Sequence, residues 1–191
     1  MICEYKGKIY VKQHTFICSA CRDLPGVKAP LEKWAKAGDC EFIDKVEVPP
    51  EMVANWFNAQ KKKYKLKINL MCFDNYRYAL MRRAFEEIGF TSGKDGNIKL
   101  TRPNDIGRVV PVINSLFINH NLVVGDVPIF RWMINNTKKY NSGNNILYGK
   151  IEPIYRKTDT FLAFACGMCW IENVENKNEV QEFEFFDPLT W

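Results

Sequence analysis

The run Leu66-Lys67-Ile68-Asn69-Leu70-Met71-Cys72-Phe73 ends in one carboxylate, Asp74, and passes straight into a helical pattern. Leu66, Ile68, Leu70 and Cys72 alternate with Lys67, Asn69, Met71 and Phe73, and the alternation becomes apolar on both parities towards its end. That pattern predicts a central strand over residues 66–74 entering a two-sided core, the mark of an α/β chain. Asp74 then stands where the strand leaves the sheet. Ligands of open α/β sheets bind at the carboxyl ends of strands, so a charge placed there calls for a chemical reason.

The neighbouring segments supply strands and helices around that centre. Residues 8–18 follow a Gly7 turn and are rich in β-branched and aromatic residues, which predicts a strand, with Glu4-Tyr5 as the tail of the strand before it. The opening hairpin therefore looks cut short. A short helix over 31–38 buries Trp34, and a short strand follows over 42–48. Pro49-Pro50-Glu51 starts a helix with Val53, Trp56, Phe57 and Gln60 along one face, and Lys61-Lys62-Lys63 at its end complement the helix dipole as a solvated face. Beyond Asp74, residues 75–88 form a helix with Tyr76, Ala79, Leu80, Ala84 and Ile88 inward, closed by Gly89. Asn104 or Asp105 caps a further helix with Val109, Val110, Ile113, Leu116 and Phe117 as its apolar stripe. A short helix over 128–135 precedes a hairpin over 136–151 centred on Asn141-Ser142-Gly143-Asn144, either a flap over a ligand or an ordinary surface hairpin. The last strong element, 158–171, is a mostly apolar helix with a single acid, Asp159, at its start. The tail 172–191 is acidic and aromatic by turns, a packed extension or a loose end.

The chain of 191 residues, 47% hydrophobic, is large enough to bury a core as one domain over 1–191. Its net charge of +5 is compatible with an anionic partner without requiring one. No apolar run approaches the roughly 18 residues of a membrane span, and the N-terminus lacks the basic and apolar regions of a signal peptide, so no membrane partner is expected. Seven cysteines are an odd number for a disulfide framework. Reduced thiols in the cytoplasm are the simpler expectation. Cys18-x-x-Cys21 and Cys166-x-x-Cys169 form a rival constellation for structural zinc, but zinc ribbons keep their pairs closer in sequence, and the second pair falls inside an apolar helix. His14 and His120 read as structural.

Asp74 and Asp159 stand out because both sit at the mouths of apolar elements. Each alone has a structural explanation as a helix cap. If a mixed sheet brings them together, their repulsion must be offset by a cation, and hard carboxylate oxygens suit Mg2+ or Mn2+.

In order and spacing, Phe73-Asp74 before a helix, the segment Pro128-Ile129-Phe130-Arg131-Trp132-Met133-Ile134-Asn135-Asn136, Gly143-Asn144, Lys150, and Arg156-Lys157-Thr158-Asp159 with Ala163 beyond resemble the C-terminal nuclease domain of tailed-phage terminase large subunits. The resemblance implies a ribonuclease H-like fold: a mixed sheet flanked by helices. It further implies metal-dependent endonuclease activity on concatemeric double-stranded DNA during genome packaging, with two Mg2+ or Mn2+ ions, and the terminase small subunit and portal as partners. By position, Asp74 and Asp159 match two of the family's catalytic metal-binding carboxylates. Lys150 matches a lysine placed before the final acid, and Lys150, Arg156 and Lys157 become candidate phosphate contacts on DNA. Two departures accompany the resemblance. The family's first carboxylate lies on a strand upstream of the hairpin, which this chain starts too late to contain, leaving Glu4 as the nearby acid that could stand in. The ATPase motor is absent too, since there is no Gly-x-x-x-x-Gly-Lys-Ser/Thr phosphate loop. The chain is then expected to be an N-terminally truncated nuclease domain, or alternatively a non-catalytic DNA-binding remnant of the same fold.

Overall fold

The chain opens with a hairpin, β1 (Ile2–Tyr5) and β2 (Lys8–Val11), whose turn places Lys6 and Gly7 in the left-handed region. β3 (Phe16–Cys18) runs into a single helical turn, α1 (Ser19–Arg22), followed by α2 (Leu31–Lys36), β4 (Glu41–Ile43) and α3 (Pro50–Lys63). β5 (Met71–Phe73), α4 (Tyr78–Glu86), β6 (Ile98–Leu100), α5 (Pro103–Ile118), β7 (Leu122–Val123) and α6 (Pro128–Asn135) come next. A hairpin, β8 (Thr137–Ser142) and β9 (Asn145–Lys150), then leads to α7 (Asp159–Met168) and a short turn, Ile171–Asn173. The structure, a computed structural model, describes residues 1–143 and 145–174. Most of the tail, and Asn144 of the hairpin, lie outside the described residues.

The architecture is mixed α/β, as expected, but the described strands do not join into one hydrogen-bonded sheet. β1 pairs antiparallel with β2, and β2 parallel with β7; β3 with β4 and β5 with β6 are parallel pairs; β8 and β9 are antiparallel. Two strands are also shorter than their patterns suggest. The alternation over 66–74 yields a ladder only from Met71, because the preceding residues are used in leaving α3. Leu66 N–H closes on Lys61 O at 3.0 Å and Lys65 takes a left-handed φ of 52°, so the chain first reaches its partner where Met71 N–H meets Asn97 O at 2.8 Å. Residues 8–18 divide between two sheets. Gln13 Nε2 turns away to Asp39 O at 3.0 Å, and His14 stacks on Trp56 with ring centroids 5.4 Å apart. That stacking gives His14 a structural role, and His120 ends α5 in the left-handed region at φ 54°.

α4 keeps Ala84 and Ile88 of its expected stripe against the core, but Tyr76, Ala79 and Leu80 face out. Tyr76 and Leu80 are 75% and 50% exposed, while Phe85 is completely buried and Tyr78, Met81, Ala84 and Ile88 pack beside it. The physical reason lies at the start: Arg77 adopts φ 56°, held by a 3.0 Å ion pair to Glu47, so the helix begins only at Tyr78 and its phase is set by burying the largest ring. α5 keeps its expected stripe, with Val109, Val110 and Ile113 buried, although Phe117 at its far end is 39% exposed. Its cap differs. The helix starts at Pro103, and Asp105 accepts the N–H of Arg102 at 2.9 Å.

Two hydrophobic clusters result. The larger joins α5, α6 and α7 to β2 and β3 through Ile113, Ile129, Phe130, Phe161, Phe164 and Ala165. The smaller holds Ala54, Met71, Ala84, Phe85, Phe90 and Ile98 from α3, α4, β5, β6 and the turn after α4. α7 joins them: it packs against β5 and also against β1, so closely that a side chain at Gly167 would collide with Ile2. No helix among the described residues is long and apolar enough to cross a membrane.

Candidate functional site

The seam between the two clusters, where α7 packs on β5, carries both carboxylates. Asp74 follows directly on β5, exposed, and its Oδ1 accepts the N–H of Tyr76 at 3.0 Å. This is an Asx turn, which holds the carboxylate at the strand exit. It does not cap α4, whose first residue is Tyr78. Asp159 is the first residue of α7, also exposed, and the capping position belongs to Thr158. Its carboxylate makes no hydrogen bond or ion pair among the described residues. The cap explanation of each acid therefore falls away, and the helix dipole remains as the local feature favouring a negative charge at Asp159.

The two are near enough to interact. The Asp74 carboxyl is pushed above its ordinary value, first by burial and further by the negative charge of Asp159, with the Tyr76 N–H opposing. The same charges reach the surrounding thiols. Burial pushes Cys72 and Cys166 up to about 12, and for Cys166 the charge of Asp74 adds to it. On the other side, Cys21 is raised by burial and its neighbour Cys18, Asp159 adding and Lys157 opposing. Cys18 and Cys21 thus lie beside Asp159 and Lys157, whereas Cys166 and Cys169 lie beside Cys72. The two cysteine pairs do not converge on a zinc site, and no group of three or more His, Cys, Asp or Glu able to hold a metal forms among the described residues.

The approach to Asp159 is fixed by polar residues of the elements around it. Asn136, 2% exposed, donates from Nδ2 to Lys157 O at 3.0 Å, receives Arg156 Nη1 at 3.4 Å, and accepts Ile151 N–H on its carbonyl at 2.8 Å. It closes the loop between β9 and α7. Thr160 N–H meets Met133 Sδ at 3.2 Å, and Thr15 and Thr160 share a hydroxyl hydrogen bond of 2.9 Å. Thr158 Oγ1 is buried with no hydrogen-bond partner among the described residues. At Asp74, Thr101 N–H donates to Phe73 O at 2.7 Å, and its Oγ1 accepts Trp170 Nε1 at 2.9 Å, which clips β5 and β6 to the end of α7. In the sequence Asn136 closes the resembling segment that begins at Pro128, with no role of its own attached; nothing in the spacing singles out Thr101.

The three basic candidates are spread out. Lys150 ends β9 opposite Thr137, half-buried. Arg156 leans on Asn136 and lines a cavity of about 360 Å3 with Lys28, Trp132 and Tyr155. Lys157 stands two residues before Asp159, at the neck of α7 near Cys21. Glu4 is exposed on β1. Chemically, Asp74 and Asp159 offer hard oxygen donors suited to Mg2+ or Mn2+, and the charge of Asp159 reaches Asp74. Two carboxylates fit one shared ion but fall short of a complete set for two.

No protein-family model matches the chain, and no curated protein does. In three dimensions it is similar to part of the crystal structure of the HK97 bacteriophage large terminase, with a TM-score of 0.66 at 16% sequence identity. The match covers 81% of this chain and 32% of that one, so the chain spans about a third of the terminase's length. The likeness is one of fold: this is a terminase-like α/β chain.

Proposed function

We propose that the chain is the metal-dependent endonuclease domain of a phage large terminase, cutting concatemeric double-stranded DNA during genome packaging. The observation that carries this reading is the placing of Asp74 and Asp159 at the two ends of one seam, Asp74 directly after β5 and Asp159 first in the helix α7 that packs on β5: both exposed, and without a cationic side chain bound to either among the described residues. The terminase-like fold is consistent with it. In this reading the strands belong to a ribonuclease H-like arrangement. Asp74, held by its Asx turn, and Asp159, set by the first turn of α7, hold Mg2+ or Mn2+. Such ions, when bound as a pair, activate water and steady the leaving oxygen of a phosphodiester. Lys157, Arg156 and Lys150 take phosphate oxygens and position the duplex. The proposed partners are double-stranded DNA, the terminase small subunit and the portal.

A second reading, a DNA-binding remnant without cleavage, is favoured by one specific observation: the described residues gather two carboxylates but no third ligand. Incubating supercoiled plasmid with the chain and Mn2+ separates the two. The nuclease reading expects nicked and linear products, with Asp74→Asn and Asp159→Asn each reducing cleavage to background while filter binding of DNA persists. Binding without cleavage by the parent chain at any Mn2+ concentration would select the remnant.

A further inference from the structure

The cavity of about 360 Å3 beside Arg156 is enclosed by segments far apart in sequence. The loop between α1 and α2 gives it Gly26 and Lys28, α6 gives Trp132, and the loop between β9 and α7 gives Glu152, Tyr155 and Arg156. Its volume falls in the range of small-ligand sites, about 300–1,000 Å3.

The walls are held from behind. Trp132 leans on the buried Trp34, ring centroids 6.0 Å apart. The backbone at Gly26 lies so close to the Tyr155 ring that a side chain there would collide with it. Arg156 Nη1 donates to the buried Asn136 Oδ1 at 3.4 Å, which fixes the guanidinium and leaves its other N–H groups for a ligand.

The mixture of groups narrows what can fill the space. Trp132 and Tyr155 make no ring contact with each other, and Glu152 forms no ion pair with Lys28 or Arg156, among the described residues. A ligand that meets all of them carries a flat π-system for the rings, an anion for the two cations and an N–H donor for the carboxylate. A nucleotide whose base bears an exocyclic amino group has all three. Inside a duplex the face of that base is already stacked, so the nucleotide must be unpaired. The candidate site is close by: Tyr155 precedes Asp159 by four residues, a reach of at most about 14 Å.

We propose, resting on the DNA-acting reading above, that this cavity takes an unpaired nucleotide of a DNA strand, with its base against Trp132 and Tyr155, its phosphate on Arg156 and Lys28, and its exocyclic amine on Glu152. The chain then favours DNA that is locally unpaired beside the two carboxylates, and favours cytosine over thymine in the cavity.

The test measures binding of the full chain in EDTA, by fluorescence anisotropy, to a labelled duplex ending in a short single-stranded overhang of dC, of dT or of abasic sites. The three overhangs carry the same phosphates. The dC overhang is expected to bind about tenfold more tightly than the abasic one, the order of one base stacked on an aromatic side chain. It should bind about fivefold more tightly than dT, which offers Glu152 a carbonyl instead of an amine. Tyr155→Ala should remove the advantage of dC over abasic DNA, and Tyr155→Phe, which keeps the ring, should retain it. In Glu152→Gln the amide can donate to the thymine carbonyl, so dC and dT should bind alike. Equal binding of dC and abasic overhangs by the parent, an advantage that survives Tyr155→Ala, or a dC preference that survives Glu152→Gln would each overturn the proposal. Displacement of the overhang by an equal concentration of free dCMP would overturn it too, by giving the cavity to mononucleotides. A chain that shows these preferences but never cuts with Mn2+ sinks the nuclease reading alone; one that cuts without them sinks the nucleotide cavity alone.

Discussion

Asp159 rises from a helix whose inner face, Phe161, Phe164, Ala165 and Met168, is buried in the larger cluster. Asp74 hangs from a three-residue strand over the smaller one, where Ala54, Met71, Ala84, Phe85, Phe90 and Ile98 are the buried core. The candidate site thus has one deeply rooted half and one shallow half. The spacing of the two carboxylates depends on how firmly the shallow half is held, and that half has the less buried apolar surface to hold it.

The largest effect is expected at the most deeply buried ring of the shallow half. Phe85 has no solvent exposure and touches Phe57, Phe73 and Phe90 through ring contacts. Phe85→Ala should cost about 3–5 kcal/mol in urea unfolding and abolish cleavage, although the ring touches neither carboxylate. Phe130→Ala, an equally buried ring in the larger cluster, should cost a similar amount in global stability yet leave the Met71–Phe73 amides better protected from hydrogen exchange. Equal exchange at those amides in both variants would show that the two clusters open as one unit and that neither half of the site is the shallower.

A smaller effect tests the link between the halves. Trp170 Nε1 donates to Thr101 Oγ1, and Thr101 N–H holds Phe73 O, one residue from Asp74. Trp170→Phe keeps most of the ring volume and removes the donor, at about 1 kcal/mol. If the clip positions Asp74, this variant loses Mn2+-dependent cleavage out of proportion to its stability, through a weaker apparent affinity for Mn2+. A loss of stability with Mn2+ dependence unchanged would reduce the clip to ordinary packing.

The same unevenness explains what could be read from the chain before its structure. Around the larger cluster the periodicity is long and strong. α6, α7 and the stripe Val109, Val110, Ile113 fall where expected, and Asp159 is at the head of its helix. Around the smaller cluster, short elements and backbone turns override the pattern. Lys65 and Arg77 adopt left-handed conformations that no residue type announces, so the strand shrinks from 66–74 to Met71–Phe73 and α4 keeps only Ala84 and Ile88 of its expected inner face. Asp74 could be recognised as a strand-exit acid because that depends on one boundary only. Asn136 and Thr101 could not, because their roles consist of hydrogen bonds to residues distant in sequence.

The smallest effect bears most directly on the site. The Asp74 carboxyl is raised in the folded chain, so the folded state takes up a proton more readily than the unfolded state. Its contribution to stability is then fully present below the ordinary carboxylate value of about 3.9 and is lost as pH rises through the raised value. At neutral pH the ionised carboxylate opposes folding, through partial burial and the charge of Asp159. Asp74→Asn cannot ionise and should therefore melt slightly higher than the parent at pH 7, by less than about 1 kcal/mol because the group is solvent-exposed, with the difference vanishing on acidification. Mn2+ should reverse the order: an ion held between Asp74 and Asp159 binds only the folded parent and raises its melting point, while the variant gains little. A parent that already melts above Asp74→Asn at neutral pH without metal would mean that the two carboxylates do not repel, and the case for a cation between them would lose its physical basis.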